Sequence, residues 1–135
     1  MTARPRVVLA TRNAHKVEEL REILTDAGVD LDLVGLREFP EAPVVAETAA
    51  TFAANALLKA RAAAEATGLP ALADDSGLCV DSLGGMPGVL SARWAGGHGD
   101  DRANLDLVLA QVSDVPDERR GAQFVCAAAL AFPGG

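Results

Sequence analysis

The chain has few residues of the types that build thiolate metal sites, disulfide scaffolds or membrane spans. Its two cysteines, Cys79 and Cys126, stand alone, without a C-x-x-C pair and without a histidine at ligand spacing. A zinc site and a disulfide framework are therefore not indicated. Asn, Lys or Pro interrupts every apolar run well before the roughly 20 residues that a membrane-spanning helix needs. We therefore expect no membrane partner.

Positive charge is also scarce. The chain has 12 Lys and Arg against 19 Asp and Glu, which gives a net charge of -7. This balance argues against a nucleic-acid-binding protein, although a local group of cations can still bind one phosphate group. Arg4 and Arg6 lie near the start, but no apolar segment with a small-residue cleavage site follows them, so we expect a cytoplasmic protein.

The remaining composition is that of a globular domain. The chain has 135 residues, of which 50% are hydrophobic, and we expect one domain over residues 1–135. Apolar patterning predicts strands that alternate with helices, which is typical of α/β folds. The predicted strands cover 7–10, 31–35, 71–73 with a resumption at 78–80, and 124–132. The predicted helices follow the N-cap Asn13, cover about 48–67 and follow Asp101, the last with an apolar face of Leu105, Val108, Leu109 and Val112.

The first candidate site is the segment T-R-N-A-H-K at 11–16, between a strand and a helix. Arg12, His15 and Lys16 crowd the positive end of a helix dipole, which is unfavourable unless an anion binds there. A phosphate group could accept hydrogen bonds from the helix N–H groups and from Lys16. The alternative is an Asn cap beside solvated cations.

The second candidate is a polar row on the long alanine-rich helix. Thr51, Asn55 and Lys59 are four residues apart and share one face, and Glu47 lies one step earlier. Such a row is either the solvent-facing side of the helix or the wall of a polar cleft.

The third candidate is Asp74-Asp75-Ser76-Gly77, which interrupts an apolar strand. In an extended chain the two carboxylates point to opposite faces, so one of them enters the core. Mg²⁺ relieves the cost of such a carboxylate and accepts one or two protein carboxylates together with phosphate oxygens. An Asx turn that leads into Gly77 is the alternative.

A weaker candidate is the glycine-rich region that follows. The segments 84–88 and 91–94 could close over a ligand, with Arg93 contacting phosphate. The alternative is an ordinary surface loop.

Four sequence blocks occur in the order and spacing of one enzyme family. They are T-R-N-A-H-K at 11–16, E-T-x-x-T-F-x-x-N-A-x-x-K-A at 47–60, A-D-D-S-G-L at 73–78 and G-G-M-P-G-V-L-S-A-R-W at 84–94. Together they resemble the inosine/xanthosine triphosphate pyrophosphatase family. The resemblance implies an elongated three-layer α/β fold with a mixed central sheet flanked by helices, usually as a homodimer. It also implies hydrolysis of ITP, dITP or XTP to the monophosphate and pyrophosphate.

The resemblance assigns expected roles to individual residues. Asp75 would be the catalytic proton acceptor, and the Mg²⁺ ligands would be Glu47, Asp75 and Asp74. The substrate-binding residues would be Thr11, Arg12, Asn13, Ala14, His15, Lys16, Ser76, Asn55, Lys59 and Arg93.

The chain departs from the family pattern in three places. Arg12 stands where many relatives have Gly, and Leu90 stands where Tyr or Ile is more usual. Family members also continue for about another third of their length, with a base-stacking F-G-Y-D-P-like segment and a terminal S-H-R. We therefore expect an incomplete domain whose last strand is an uncovered edge. The alternative function is an impaired fragment that only binds phosphate or nucleotide weakly.

Overall fold

The computed structural model describes residues 4–134 and shows strands alternating with helices. The strands are β1 (Arg6–Leu9), β2 (Asp32–Gly35), β3 (Ala71–Val80) and β4 (Ala122–Ala131), and the helices are α1 (Ala14–Asp26), α2 (Phe52–Thr67) and α3 (Asp101–Gln111). Short 3-10 turns occur at Leu36–Glu38, Asp81–Leu83, Gly88–Arg93 and Asp117–Arg119. The predicted α/β class is confirmed. No helix within residues 4–134 is long and apolar enough to cross a membrane.

The strands form one mixed sheet in the order β2-β1-β3-β4. β1 runs parallel to both of its neighbours, and Leu9 is paired with Gly35 on one side and with Leu72 on the other. The Ala10 N–H also donates to the Leu72 carbonyl at 2.8 Å. Because the strands are parallel, the turn after β1 lies at the same sheet edge as the β3 residues that follow Leu72. β4 is one of the two edge strands, as predicted, and β2 is the other.

The described chain divides into two compact units. The first consists of 4–49, 53–74 and 128–134, and the second consists of 50–52 and 75–127. Each unit has its own apolar core.

The first unit buries both faces of its sheet. On one face Val8 and Val34 pack with Ala60, Ala63 and Ala64 of α2. On the other face Val7, Leu9 and Leu33 pack with Val17 of α1. Neighbouring residues of β1 belong to different clusters, as expected for a strand with two covered faces.

The core of the second unit is built around α3. Val80, Val108 and Val112 are buried, and Leu78, Leu83, Trp94 and Val115 pack against them. The predicted apolar face of α3 is confirmed for Val108 and Val112. It is wrong for Leu105 and Leu109, which are about half exposed, while Asn104 is buried. The Asn104 side chain donates to the Ala92 carbonyl at 3.0 Å and accepts from the Ala95 N–H at 2.8 Å. These bonds turn the row 104–108–112 inward.

Two predicted boundaries also need correction. β3 is one continuous strand through Asp74 and Asp75, so neither an interruption nor an Asx turn occurs there. α2 begins at Phe52 and not near Thr48, so Glu47 and Thr51 precede the helix. Since the two aspartates sit in extended backbone, their side chains point to opposite faces of the strand.

Candidate functional site

The turn after β1 is organised by the predicted N-cap. Asn13 has extended backbone angles, and its Oδ1 accepts from the His15 N–H at 3.0 Å and the Lys16 N–H at 3.3 Å. The Asn13 N–H donates to Thr11 Oγ1 at 3.1 Å. These bonds confirm the cap. They also occupy two of the amides that we expected an anion to use, so an anion at this helix end has to share them with Asn13.

Arg12 joins this turn to the chain segment before α2. Its guanidinium donates to the Ala42 carbonyl at 2.5 Å, and its own carbonyl accepts from Arg37 Nε at 2.7 Å. A cavity of about 240 Å³ adjoins Arg12, and Lys59 and Val44 also line it. The first unit therefore places two cations beside one cavity. His15, by contrast, lies on the exposed side of α1 and pairs with Glu19.

Lys16 and Asp74 form an ion pair at the edge of the sheet. Lys16 Nζ donates to Asp74 Oδ1 at 2.5 Å, across 58 residues of sequence. The parallel pairing of β1 and β3 explains the contact, because it brings the first turn of α1 beside the middle of β3. A predicted phosphate ligand and a predicted metal ligand are thus held together.

A second ion pair joins α2 to the segment that precedes it. Lys59 Nζ lies 2.9 Å from Glu47 Oε1. Asn55 is fully buried, and its Oδ1 accepts from the Ala49 N–H at 2.9 Å. The polar row on α2 is therefore not solvent-facing: Asn55 holds the segment before the helix, and Lys59 holds the carboxylate that this segment carries.

We expect Asn55→Ala to lower the free energy of unfolding by about 3 kcal/mol, because the Ala49 N–H loses its acceptor and a small cavity remains. Chemical denaturation measures this change. Gln123→Ala, which removes an exposed amide, serves as the control and should change stability by less than about 0.5 kcal/mol. Equal stabilities of the two variants would contradict the role of Asn55.

Asp75 is the buried member of the aspartate pair. It is 7% exposed and alternates with Ala73 and Gly77 on the buried side of β3. The prediction that one carboxylate enters the interior is confirmed. Asp74 points to the other side, where it meets Lys16.

The remaining predicted residues belong to the second unit. Ser76 is exposed and borders a cavity of about 400 Å³, and Arg93 is exposed at the end of the 3-10 turn Gly88–Arg93. Ser91 begins the predicted segment 91–94, in which only Arg93 has an expected role. Its hydroxyl accepts from the Leu78 N–H at 3.0 Å and donates to the Gly88 carbonyl at 2.6 Å. The only sequence feature that pointed to Ser91 was its position in the S-A-R-W block.

Residues 4–134 contain no group of three or more His, Cys, Asp or Glu side chains arranged to hold a metal ion. Mg²⁺ needs only one or two protein carboxylates because water and phosphate oxygens complete its shell. The predicted Mg²⁺ ligands therefore stay a prediction.

The sequence model of the Ham1 family matches residues 7–135. The chain belongs to the Ham1 family. Ham1-family relatives include proteins named dITP/XTP pyrophosphatase from Streptomyces coelicolor, 68% identical over 130 residues, and Nocardia farcinica, 64% identical over 131 residues. Both alignments cover 96% of this chain, and they cover 65% and 64% of the relatives. The chain thus spans just under two thirds of their length.

Solved Ham1-family structures share the fold. The crystal structure of a nucleoside-triphosphatase, dITP/XTP pyrophosphatase, from Mycobacterium abscessus is 56% identical with a TM-score of 0.84, and covers 96% of this chain and 66% of that one. A HAM1 protein from Coxiella burnetii is 41% identical with a TM-score of 0.86, and the match covers 96% and 64% of the two chains. The family resemblance expected from the four sequence blocks is confirmed.

Proposed function

We propose that this chain carries the triphosphate- and metal-binding residues of a Mg²⁺-dependent nucleoside triphosphate pyrophosphatase. The substrates would be ITP, dITP and XTP, and the products the nucleoside monophosphate and pyrophosphate. The supporting observation is the arrangement in the first unit, where Lys16 pairs with Asp74 and Lys59 pairs with Glu47. The names of the relatives support the same reaction class.

The proposed roles follow from the chemistry of each group. Lys16, Lys59 and the Asn13-capped end of α1 would bind phosphate oxygens. Arg12, Thr11, Ala14 and His15 belong to the same turn. Glu47, Asp74 and Asp75 offer carboxylate oxygens, which are the ligands that Mg²⁺ prefers. The ion, when bound, would neutralise charge on the phosphates.

Asp75 would act on the attacking water. Its carboxylate would accept a proton as the water oxygen forms a bond to the α-phosphorus, and the bond from that phosphorus to the bridging oxygen would break to release pyrophosphate. Burial suits this role because a carboxylate shielded from bulk water keeps a fixed orientation. Asn55 would position the Glu47 segment, and Ser76 and Arg93 would contact the substrate.

We further propose a cytoplasmic homodimer that binds neither nucleic acid nor membrane. The net charge of -7 supports the lack of a nucleic-acid partner.

Product analysis tests the reaction class. We expect the chain to convert ITP into IMP and pyrophosphate in equal amounts with Mg²⁺, and to lose this turnover in EDTA. ATP serves as the comparison substrate and should turn over more slowly. Formation of IDP with inorganic phosphate, or turnover unchanged by EDTA, would contradict the proposal.

A second candidate function is nucleotide binding without turnover. The exposed large side chains of β4, with Phe124 at 74% and Leu130 at 50%, favour it because exposed apolar surface destabilises a soluble domain. Saturable binding of Mg²⁺-ITP without any product would support this candidate over the first.

A further inference from the structure

The ion pairs Lys16–Asp74 and Lys59–Glu47 of the first unit are less exposed than most of its surface pairs. The side chains of Lys16 and Asp74 are 43% and 27% exposed, and those of Lys59 and Glu47 are 20% and 32% exposed. The ion pairs made by Arg4, Arg6, His15, Arg21, Arg102 and Arg120 each have at least one partner that is half exposed or more. Water and salt therefore screen these two pairs less than the others.

Each pair also joins one member of the proposed phosphate-binding set to one member of the proposed metal-binding set. The lysines neutralise the carboxylates in place of a metal ion, and the carboxylates neutralise the lysines in place of phosphate. A ligand that interacts with only one set has to compete with the other set.

We propose that Lys16 and Lys59 each make the carboxylate beside them selective for Mg²⁺ bound together with a triphosphate over either component alone. The proposal rests on the proposed function, since it takes the same residues as phosphate and metal ligands. It adds a specificity role to the two lysines beyond phosphate contact.

Metal alone is disfavoured by charge repulsion. A Mg²⁺ ion at Asp74 or Glu47 has to displace an ammonium group, which then stays close to the ion without a counter-ion. The lysines thus weaken metal binding as long as no phosphate is present to receive them.

Binding of a triphosphate alone is disfavoured by the negative charge of the carboxylates. When Lys16 and Lys59 turn to phosphate oxygens, Asp74 and Glu47 lose the cations beside them, and phosphate charge lies near these carboxylates. When both ligands bind, each group exchanges one partner of opposite charge for another. The two ligands therefore raise each other's affinity by the same factor.

Titration with Mg²⁺ in the absence of nucleotide tests whether the lysines weaken the binding of metal alone. We expect Lys16→Met and Lys59→Met to bind Mg²⁺ about five- to a hundredfold more tightly than the parent in calorimetry, the usual range of such coupling. The control is Arg102→Met, which removes one positive charge from an exposed pair with Asp106 and should leave the Mg²⁺ affinity unchanged. Lysine variants that match this control would overturn the proposal.

Titration with inorganic tripolyphosphate tests whether the carboxylates weaken the binding of a triphosphate alone. Asp74→Asn should bind tripolyphosphate more tightly than the parent in EDTA and less tightly in Mg²⁺. Asp106→Asn is the charge-matched control and should shift neither affinity. An effect of Asp74→Asn with the same sign in both buffers would overturn the proposal.

Unfolding and turnover measurements keep the result interpretable. If Lys16→Met does not fold, Lys16→Gln carries the same expectation, because it keeps a hydrogen-bond donor for Asp74 without the charge. Pyrophosphate release by the parent is measured in parallel. If the parent releases pyrophosphate but the lysine variants do not bind Mg²⁺ more tightly, only the proposed selectivity is overturned. If the lysine variants bind Mg²⁺ more tightly but the parent releases no pyrophosphate, only the proposed pyrophosphatase function is overturned.

Discussion

Asp75→Asn is expected to lower the rate of pyrophosphate release from ITP by about 100- to 10,000-fold, the range that a general base contributes. Asparagine has nearly the same shape but neither charge nor basicity. Residue 75 is only 7% exposed, so bulk water has little access to it and cannot replace the lost carboxylate. The measurement is the initial rate of pyrophosphate release at saturating Mg²⁺ and ITP.

The same chemical change at the exposed Asp114 provides the control, and Asp114→Asn should retain the parent rate. Thermal unfolding should show that Asp75→Asn stays folded, because burying a neutral amide costs less than burying a carboxylate. Equal rates for the parent and Asp75→Asn would remove Asp75 from the catalytic role.

Gly77→Ala is expected to lower the free energy of unfolding by about 3 kcal/mol or more, and the unfolding midpoint by about 10 °C, through overpacking. A Cβ atom at Gly77 would lie 2.5 Å from the Gly88 carbonyl oxygen, 2.6 Å from Ser91 Oγ and 3.0 Å from Phe52 Cε1. The Gly88 contact is with backbone, so relief requires a shift of the chain. Ser91 cannot turn away without losing its bonds to Leu78 and Gly88.

Gly97→Ala is the matched control because a Cβ atom there would meet nothing within 4 Å. It should leave the midpoint unchanged or raise it slightly. A Gly77→Ala midpoint equal to that of Gly97→Ala would show that the segment around Gly88 adapts without cost.

Local signals explain what the sequence predicted well. Asn13 caps α1 through bonds to residues two and three positions away, and glycine follows the helix end as expected. The alternation of strands and helices needed only the apolar pattern. Such features depend on neighbours within one or two turns, which a single sequence displays.

The errors arose where a distant hydrogen bond decides the structure. Alanine and threonine before Phe52 are compatible with a helix, yet Asn55 holds Ala49 outside it. Asn104 has the polarity of a surface residue, yet its two main-chain bonds bury it and rotate α3. The low strand propensity of aspartate predicts a break in β3 at Asp74 and Asp75, but tertiary pairing overrides this preference.

The same contrast between local signals and distant contacts applies to the candidate site. The sequence predicted Lys16, Lys59, Glu47 and Asp74 as functional residues, but not that they pair with one another. That pairing depends on strand order and on the start of α2, and the Lys16–Asp74 contact spans 58 residues. Residue type therefore indicated the chemistry, and the fold supplied the partners.

The edge position of β4 has a practical consequence for work in solution. A ten-residue outer strand with exposed Phe124 and Leu130 offers main-chain donors and acceptors to any strand that comes near. The rate of precipitation should therefore depend steeply on protein concentration, and dilute samples suit this chain best.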